Sequence, residues 1–245
     1  MTALAAARLA GRFAREALAL GAGEVCALLR RGFYLRFPGG RFACIGDAML
    51  GGGPLNALVD ALPAVALGQE WTVDTVRAEL WKPPDSNGAF PDNASAITRG
   101  AVPRAPAEGL ACLIAGSHNP LSVHAQPALE ALERWLVGNA LSAEAEALIG
   151  LGPGVTAPGD DYLGGLLLAL GLAGRGAQGA SLWRWLEPRL AGRTREISAA
   201  HLAAAAAGEA QEALHRALNG EPEFGRLDSA GWNGLAGALS VAKTY

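Results

Sequence analysis

Cysteine is scarce, with three in 245 residues: Cys26, Cys44 and Cys112. An odd count without a C-x-x-C pair argues against a disulfide framework and for reduced, buried thiols in a cytoplasmic protein. Histidine is nearly as rare. His118, His124, His201 and His215 form no H-E-x-x-H or other zinc spacing. Basic residues form no block: 20 Lys and Arg stand against 23 Asp and Glu, a net charge of −3. Nucleic acid is therefore not the expected partner. Long apolar runs are missing as well. "GLLLALGLAG" (165–174) is far too short to span a bilayer, so a membrane is not expected either. No Ser-His-Asp order and no reactive-cysteine signature is visible, and Cys112 sits in an apolar run where a thiol is usually inert.

What is abundant is apolar surface and glycine. Hydrophobic residues make up 51%, charged ones 18%, and there are 33 glycines, a composition that folds around a sizeable core. Residues 1–20, "MTALAAARLAGRFAREALAL", read as an amphipathic helix, with an Arg-bearing presequence as the rival. "FYLRF" and "RFACI" alternate at period two around Pro38-Gly39-Gly40, a hairpin signal. "LNALVDAL" after Pro54 reads as a short helix, "WTVDTVRAELW" (71–81) as a strand, and "GLACLIAG" (109–116) as a buried strand. The Pro-rich segment 82–95 reads as a lid or surface excursion. Helical spacing then dominates. The expectation is an α+β protein: a β-rich N-terminal half, 1–116, packed against a mainly helical C-terminal half, 117–245.

One loop stands out. "IGLGPGVTAPGDDYLGG" (149–165) places Gly150, Gly152, Gly154, Gly159, Pro153 and Pro158 before Asp160 and Asp161. Two readings stay open. The glycines can cap one helix and an acid can cap the next. Alternatively, backbone N–H groups with the Thr156 hydroxyl can turn inward around an anion. The string is neither a Walker A sequence nor G-x-G-x-x-G after a strand. Helix–helix connections need only about two to eight residues, and this one carries far more turn chemistry than capping demands. Paired acids beside an anion would orient an N–H or hold Mg²⁺ with substrate oxygens completing its ligands. The preferred division has Asp160 facing the ligand and Asp161 capping.

The loop resembles the signature G-L-G-P-G-L-T-P-S-G-D-D-x-L-x-G of AllH-like proteins, a family that includes a subunit of oxamate carbamoyltransferase from anaerobic allantoin breakdown. "TREISAAHLAAAAAGEAQEALHRAL" resembles the family's next segment, and "LDSAGWNGLAGAL" a weakened form of its last. The resemblance implies carbamoyl transfer between oxalurate, phosphate and oxamate, with partner subunits. It carries over Gly152, Pro153, Gly154, Thr156, Gly159, Asp160 and Asp161. Two departures stand out: Ala157-Pro158 replaces Pro-Ser, and Asn233 stands where an acid is usual. They leave open a non-catalytic binding or assembly subunit, or a metal-dependent phosphate enzyme of other specificity.

Other candidates lie outside that loop. Arg195 offers a fork for phosphate or carboxylate, and Ser198 follows it, although Thr194 could simply cap the Ala-rich helix. His118 could carry a proton and Asn119 clamp an amide, or both could form a plain turn before Pro120. "GDAMLGGGP" (46–54) could offer N–H groups to an anion or be a Gly-rich turn.

Overall fold

The computed structural model describes residues 3–86, 88, 90–221 and 223–244. The chain forms two compact units, 1–84 and 85–245, and is α+β as expected.

The N-terminal unit is a closed barrel. Its strands are β1 (Ala3–Ala10), β2 (Gly23–Leu29), β3 (Gly32–Phe37), β4 (Arg41–Gly46), β5 (Asn56–Val59) and β6 (Glu70–Asp74), in the order β5-β4-β3-β2-β6-β1, and β1 pairs back to β5. The two-residue β7 (Glu79–Leu80) pairs in parallel beside the end of β1. The expected hairpin is there: Phe37 faces Arg41 across the turn, where Gly39 and Gly40 take φ of +73° and +67°. Helix α1 (Arg12–Leu18) sends Ala14, Ala17 and Leu18 into a core with Phe33, Leu35, Ile45 and Trp71. Closure removes the open edges that a sheet must otherwise protect.

Three local expectations are corrected here. Residues 3–10 are a strand and not the start of a helix, because parallel pairing with β6, from Ala3 opposite Trp71 to Ala6 opposite Asp74, claims their backbone; Met1 and Thr2 lie outside the described residues. "LNALVDAL" supplies β5, held between parallel β4 and antiparallel β1. The strand read over 71–81 breaks at Asp74, whose Oδ1 accepts the N–H of Val76 at 2.8 Å and turns the chain.

The C-terminal unit is helical from α2 (Ala94–Ala101) onward, followed by α3 (Pro120–Leu136), α4 (Pro158–Leu172), α5 (Gly176–Leu190), α6 (Glu196–Ala206), α7 (Glu212–Leu218) and α8 (Ser229–Ala242). The buried strand expected at 109–116 is instead a 3₁₀ helix, Ala111–Ala115. A short continuous apolar run cannot distinguish the two, and here the N–H groups at its start are taken by a side chain. In the segment 82–95, Asn87 and Ala89 lie outside the described residues, while Phe90 is buried.

Helix α4 is apolar nearly all round and lies at the centre, as such a helix must. Its Leu163, Leu166, Leu168 and Leu170 are fully buried. Close approach to α8 depends on glycine: a Cβ on Gly165 would lie 1.8 Å from the Gly234 carbonyl oxygen, and one on Gly237 would lie 1.9 Å from that of Tyr162. The Ala-rich face of α6 does what small side chains permit, bringing Ala205 against Gly164 of α4.

Candidate functional site

The loop lies wholly within the C-terminal unit and is pinned at both ends. A 3₁₀ helix, Ala143–Leu148, leads into it. Gly150, at φ +70°, presses on the chain before α6, where a Cβ would come within 2.1 Å of the Arg193 carbonyl oxygen. Gly159, in the first turn of α4, lies as close to the Leu148 carbonyl oxygen, at 2.0 Å for a built Cβ. Gly152 and Gly154 between them take φ of +97° and +131°.

Asp160 is the buried bolt of this arrangement, at 2% exposure. Its Oδ1 accepts the Gly150 N–H at 2.9 Å, and its Oδ2 accepts the Thr194 hydroxyl in a short bond. Burial raises its pKa, and the Thr194 hydroxyl, the Gly150 N–H and the Ser198 hydroxyl partly offset that rise. Ser198, also buried, accepts the Ala157 N–H at 3.1 Å. Asp160 therefore ties the loop to the start of α6 and faces inward, where a ligand-facing role was expected.

Asp161 is the more open of the two. Its carboxyl accepts the Asn233 amide N–H at 3.3 Å, and it does not cap α4, whose N-cap is Ala157. Burial raises its pKa to about 7, against the pull of the Thr156 hydroxyl and Asn233; Asp228 and Asp160 add smaller upward pushes. Such a carboxyl exchanges a proton near neutrality, as acid–base chemistry requires.

The remaining loop donors are uncommitted. The N–H groups of Gly152, Gly154, Val155 and Thr156 find no acceptor among the described residues. A run of free amides in a glycine-shaped turn is the composition of an anion nest. Arg195, one residue beyond the bolt at Thr194, is exposed, and its guanidinium has no hydrogen bond or ion pair among the described residues.

Residues 148–224 match the family model of oxamate carbamoyltransferase subunit AllH. The resemblance carried by the GPG and GDD strings is borne out over that span. No curated protein and no solved structure matches the chain. The AllH match takes in the whole loop and α4 through α7, hence Asp160, Asp161, Thr194, Arg195 and Ser198, and stops short of Asp228 and Asn233.

Outside the AllH span the expected residues separate. Asn119 caps α3: its side chain accepts the Ser122 N–H at 2.9 Å, and its amide donates to the carbonyls of Ala107 and Gly109, both at 2.8 Å. His118 is exposed and lines a different hollow, to which none of residues 150–161 contributes. The 46–54 loop belongs to the barrel unit, where Asp47 accepts the Met49 N–H and the carbonyls of Gly53 and Pro54 accept the N–H groups of Asn56 and Ala14. Asp228 was not foreseen. It caps α8 through the Gly231 N–H at 2.8 Å and acts electrostatically on both Asp161 and His201. The D-x-x-G spacing before an apolar helix is the cap signal that could have located it.

Among the described residues, no group of three or more His, Cys, Asp or Glu is placed to hold a metal ion. Both Asp160 oxygens are already taken, so the acid pair does not present two open carboxylates to a cation. Among the described residues, no helix is long and apolar enough to cross a membrane.

Proposed function

We propose that this chain is a subunit of a carbamoyltransferase-type enzyme whose 152–156 loop holds a small anion of the oxamate, oxalurate or carbamoyl phosphate class. The observation that carries the reading is the set of four loop amides, those of Gly152, Gly154, Val155 and Thr156, that find no acceptor among the described residues. Amides fixed in advance stabilise charge that develops on a carbamoyl oxygen without reorganising at the moment of reaction. Asp161, with a pKa near neutrality, is suited to orient the carbamoyl NH₂ or to exchange a proton with it. Asp160 keeps the amides in place from behind. Catalysis of this kind rests on positioning and donors, and other protein subunits would complete the enzyme.

A second reading, a binding or assembly subunit without its own chemistry, draws support from Asn233, which faces Asp161 where an acid is usual in the family.

The test is a thermal-shift and calorimetric screen of the full chain with oxamate, oxalurate, carbamoyl phosphate and inorganic phosphate, with and without Mg²⁺. A ligand at about a hundred times its Kd stabilises by about 2.7 kcal/mol. Stabilisation by one of the carbamoyl compounds, reduced in Arg195→Ala and in Gly154→Ala, is the expected result. No shift with any of the four would overturn anion binding by the isolated chain. A shift seen only with Mg²⁺ would redirect the reading to a metal-dependent phosphate site.

A further inference from the structure

A hollow of about 790 Å³ opens in the helical unit between α2, the 111–115 turn, α3, α4 and α8, away from the glycine loop. Its volume falls in the range of small-molecule sites, about 300–1,000 Å³. Apolar side chains line much of it: Leu113, Ile114, Leu129, Ala236 and Leu239. Tyr162 and Ser240, both buried, also contribute to its wall. Their hydroxyls are paired with each other, and Ser240 donates onward to the Gly237 carbonyl at 2.6 Å. That wall therefore offers a ligand mainly apolar contact, and polar recognition falls to the exposed rim.

The rim is unevenly charged. Arg99 of α2 and Lys243 at the end of α8 both line the hollow, and neither side chain has an ion pair or hydrogen bond among the described residues. Exposed His118 stands with them. Among the described residues that line the hollow, Glu133 of α3 is the single carboxylate and opposes them. Ser95, one turn before Arg99 on α2, also lines the hollow, as does Thr98, whose hydroxyl donates to the Ala94 carbonyl at 2.8 Å.

The geometry points to a binding site for a monocarboxylate with an apolar body, its head at Arg99 and Lys243 and its body against Leu113, Leu129 and Leu239. Two cations against one carboxylate favour a single negative charge, and a dianion would be repelled more by Glu133. The paired hydroxyls of Tyr162 and Ser240 give a second polar group on the ligand little to replace. This site does not depend on the carbamoyl reading, since no loop residue belongs to it.

Titration of the full chain with benzoate, octanoate and benzamide, followed by NMR and calorimetry, tests the assignment. Saturable binding of at least one carboxylate is expected, with benzamide weaker than benzoate by about two- to fivefold, the value of one rim charge pair. The Arg99→Ala, Lys243→Ala double variant should remove that preference and leave the benzamide affinity alone. Ser95→Trp, an exposed change at the rim, should weaken all three without lowering the melting temperature. Benzoate and benzamide binding equally, a carboxylate affinity unchanged in the double variant, or no saturable binding would each overturn the assignment.

Discussion

The side-chain amide of Asn233 joins two distant parts of the helical unit: its Nδ2 donates to Asp161 at 3.3 Å, and its Oδ1 accepts the N–H groups of Leu110 and Ala111 at 2.9 and 3.2 Å. A backbone carbonyl, which only accepts, could not satisfy all three partners. Asn233→Ala would leave two buried N–H groups without acceptors and is expected to cost about 2–4 kcal/mol, read as a lower urea midpoint. Asn233→Asp keeps the acceptor but sets a second carboxylate against Asp161. It should be nearly as stable as the parent at pH 5 and clearly weaker at pH 8, because one shared proton relieves the repulsion. Equal loss at both pH values would show that Asp161 is not the group that feels the change.

Asp161 itself should leave a mark on the pH dependence of stability. Its pKa in the folded chain is about 7, well above that of an unfolded aspartate. The folded state therefore holds the extra proton, and stability rises as pH falls from about 7 to about 4. His201 and His215 act in the opposite sense. Burial lowers both to about 4, so the stability they contribute is present above pH 6.5 and is lost on acidification toward 4. Asp161→Asn isolates the first effect. At pH 8 the variant should melt higher than the parent by about 2–4 °C per kcal/mol, with about 1–2 kcal/mol available once partial exposure is allowed for. The gap should close near pH 5, which a melting series across that range would reveal.

The sequence disclosed the site better than its wiring. The glycines, the GDD pair and the start of α6 were all visible, because left-handed turns and capping signals are local chemistry. Which acid turns inward was not, since both carry the same local signal and only packing against Thr194 separates them. The barrel was half legible. The β3–β4 hairpin announces itself through Pro38-Gly39-Gly40, but β1 and β5 are Ala- and Leu-rich segments whose strand character comes from partners far along the chain. The same weakness made 109–116 look like a strand, when its apolar run serves a 3₁₀ turn beneath Asn233.

Helix α4 offers a matched pair of glycine tests. Gly237→Ala puts a methyl carbon where the Tyr162 carbonyl oxygen already lies, and Gly165→Ala does the same against Gly234. Each forces α4 and α8 apart and should cost about 3 kcal/mol or more, with loss of cooperativity in the melt. Gly171, near the end of α4, has nothing within 4 Å of an added Cβ. Gly171→Ala should stabilise by about 0.5–1 kcal/mol through helix propensity alone. If all three variants melted alike, the glycines would not be setting the distance between the helices.

Asp160 separates a locking role from a ligand-facing one. Asp160→Ala removes the acceptor for the Gly150 N–H and the Thr194 hydroxyl inside a buried pocket, and is expected to lose about 2–4 kcal/mol. The loop should also lose its shape, so any stabilisation by carbamoyl phosphate or oxamate should vanish with it. Asp160→Asn is the discriminating change. Its carbonyl can still take the Gly150 N–H, and the Thr194 hydroxyl can rotate to accept from the new amide. A lock therefore tolerates asparagine, and both the melting temperature and the ligand response should stay close to the parent. A carboxylate that touches the ligand would behave otherwise, with a near-normal melt and the ligand response gone. That second pattern would return Asp160 to the ligand-facing side of the site and leave Asp161 with a purely structural part.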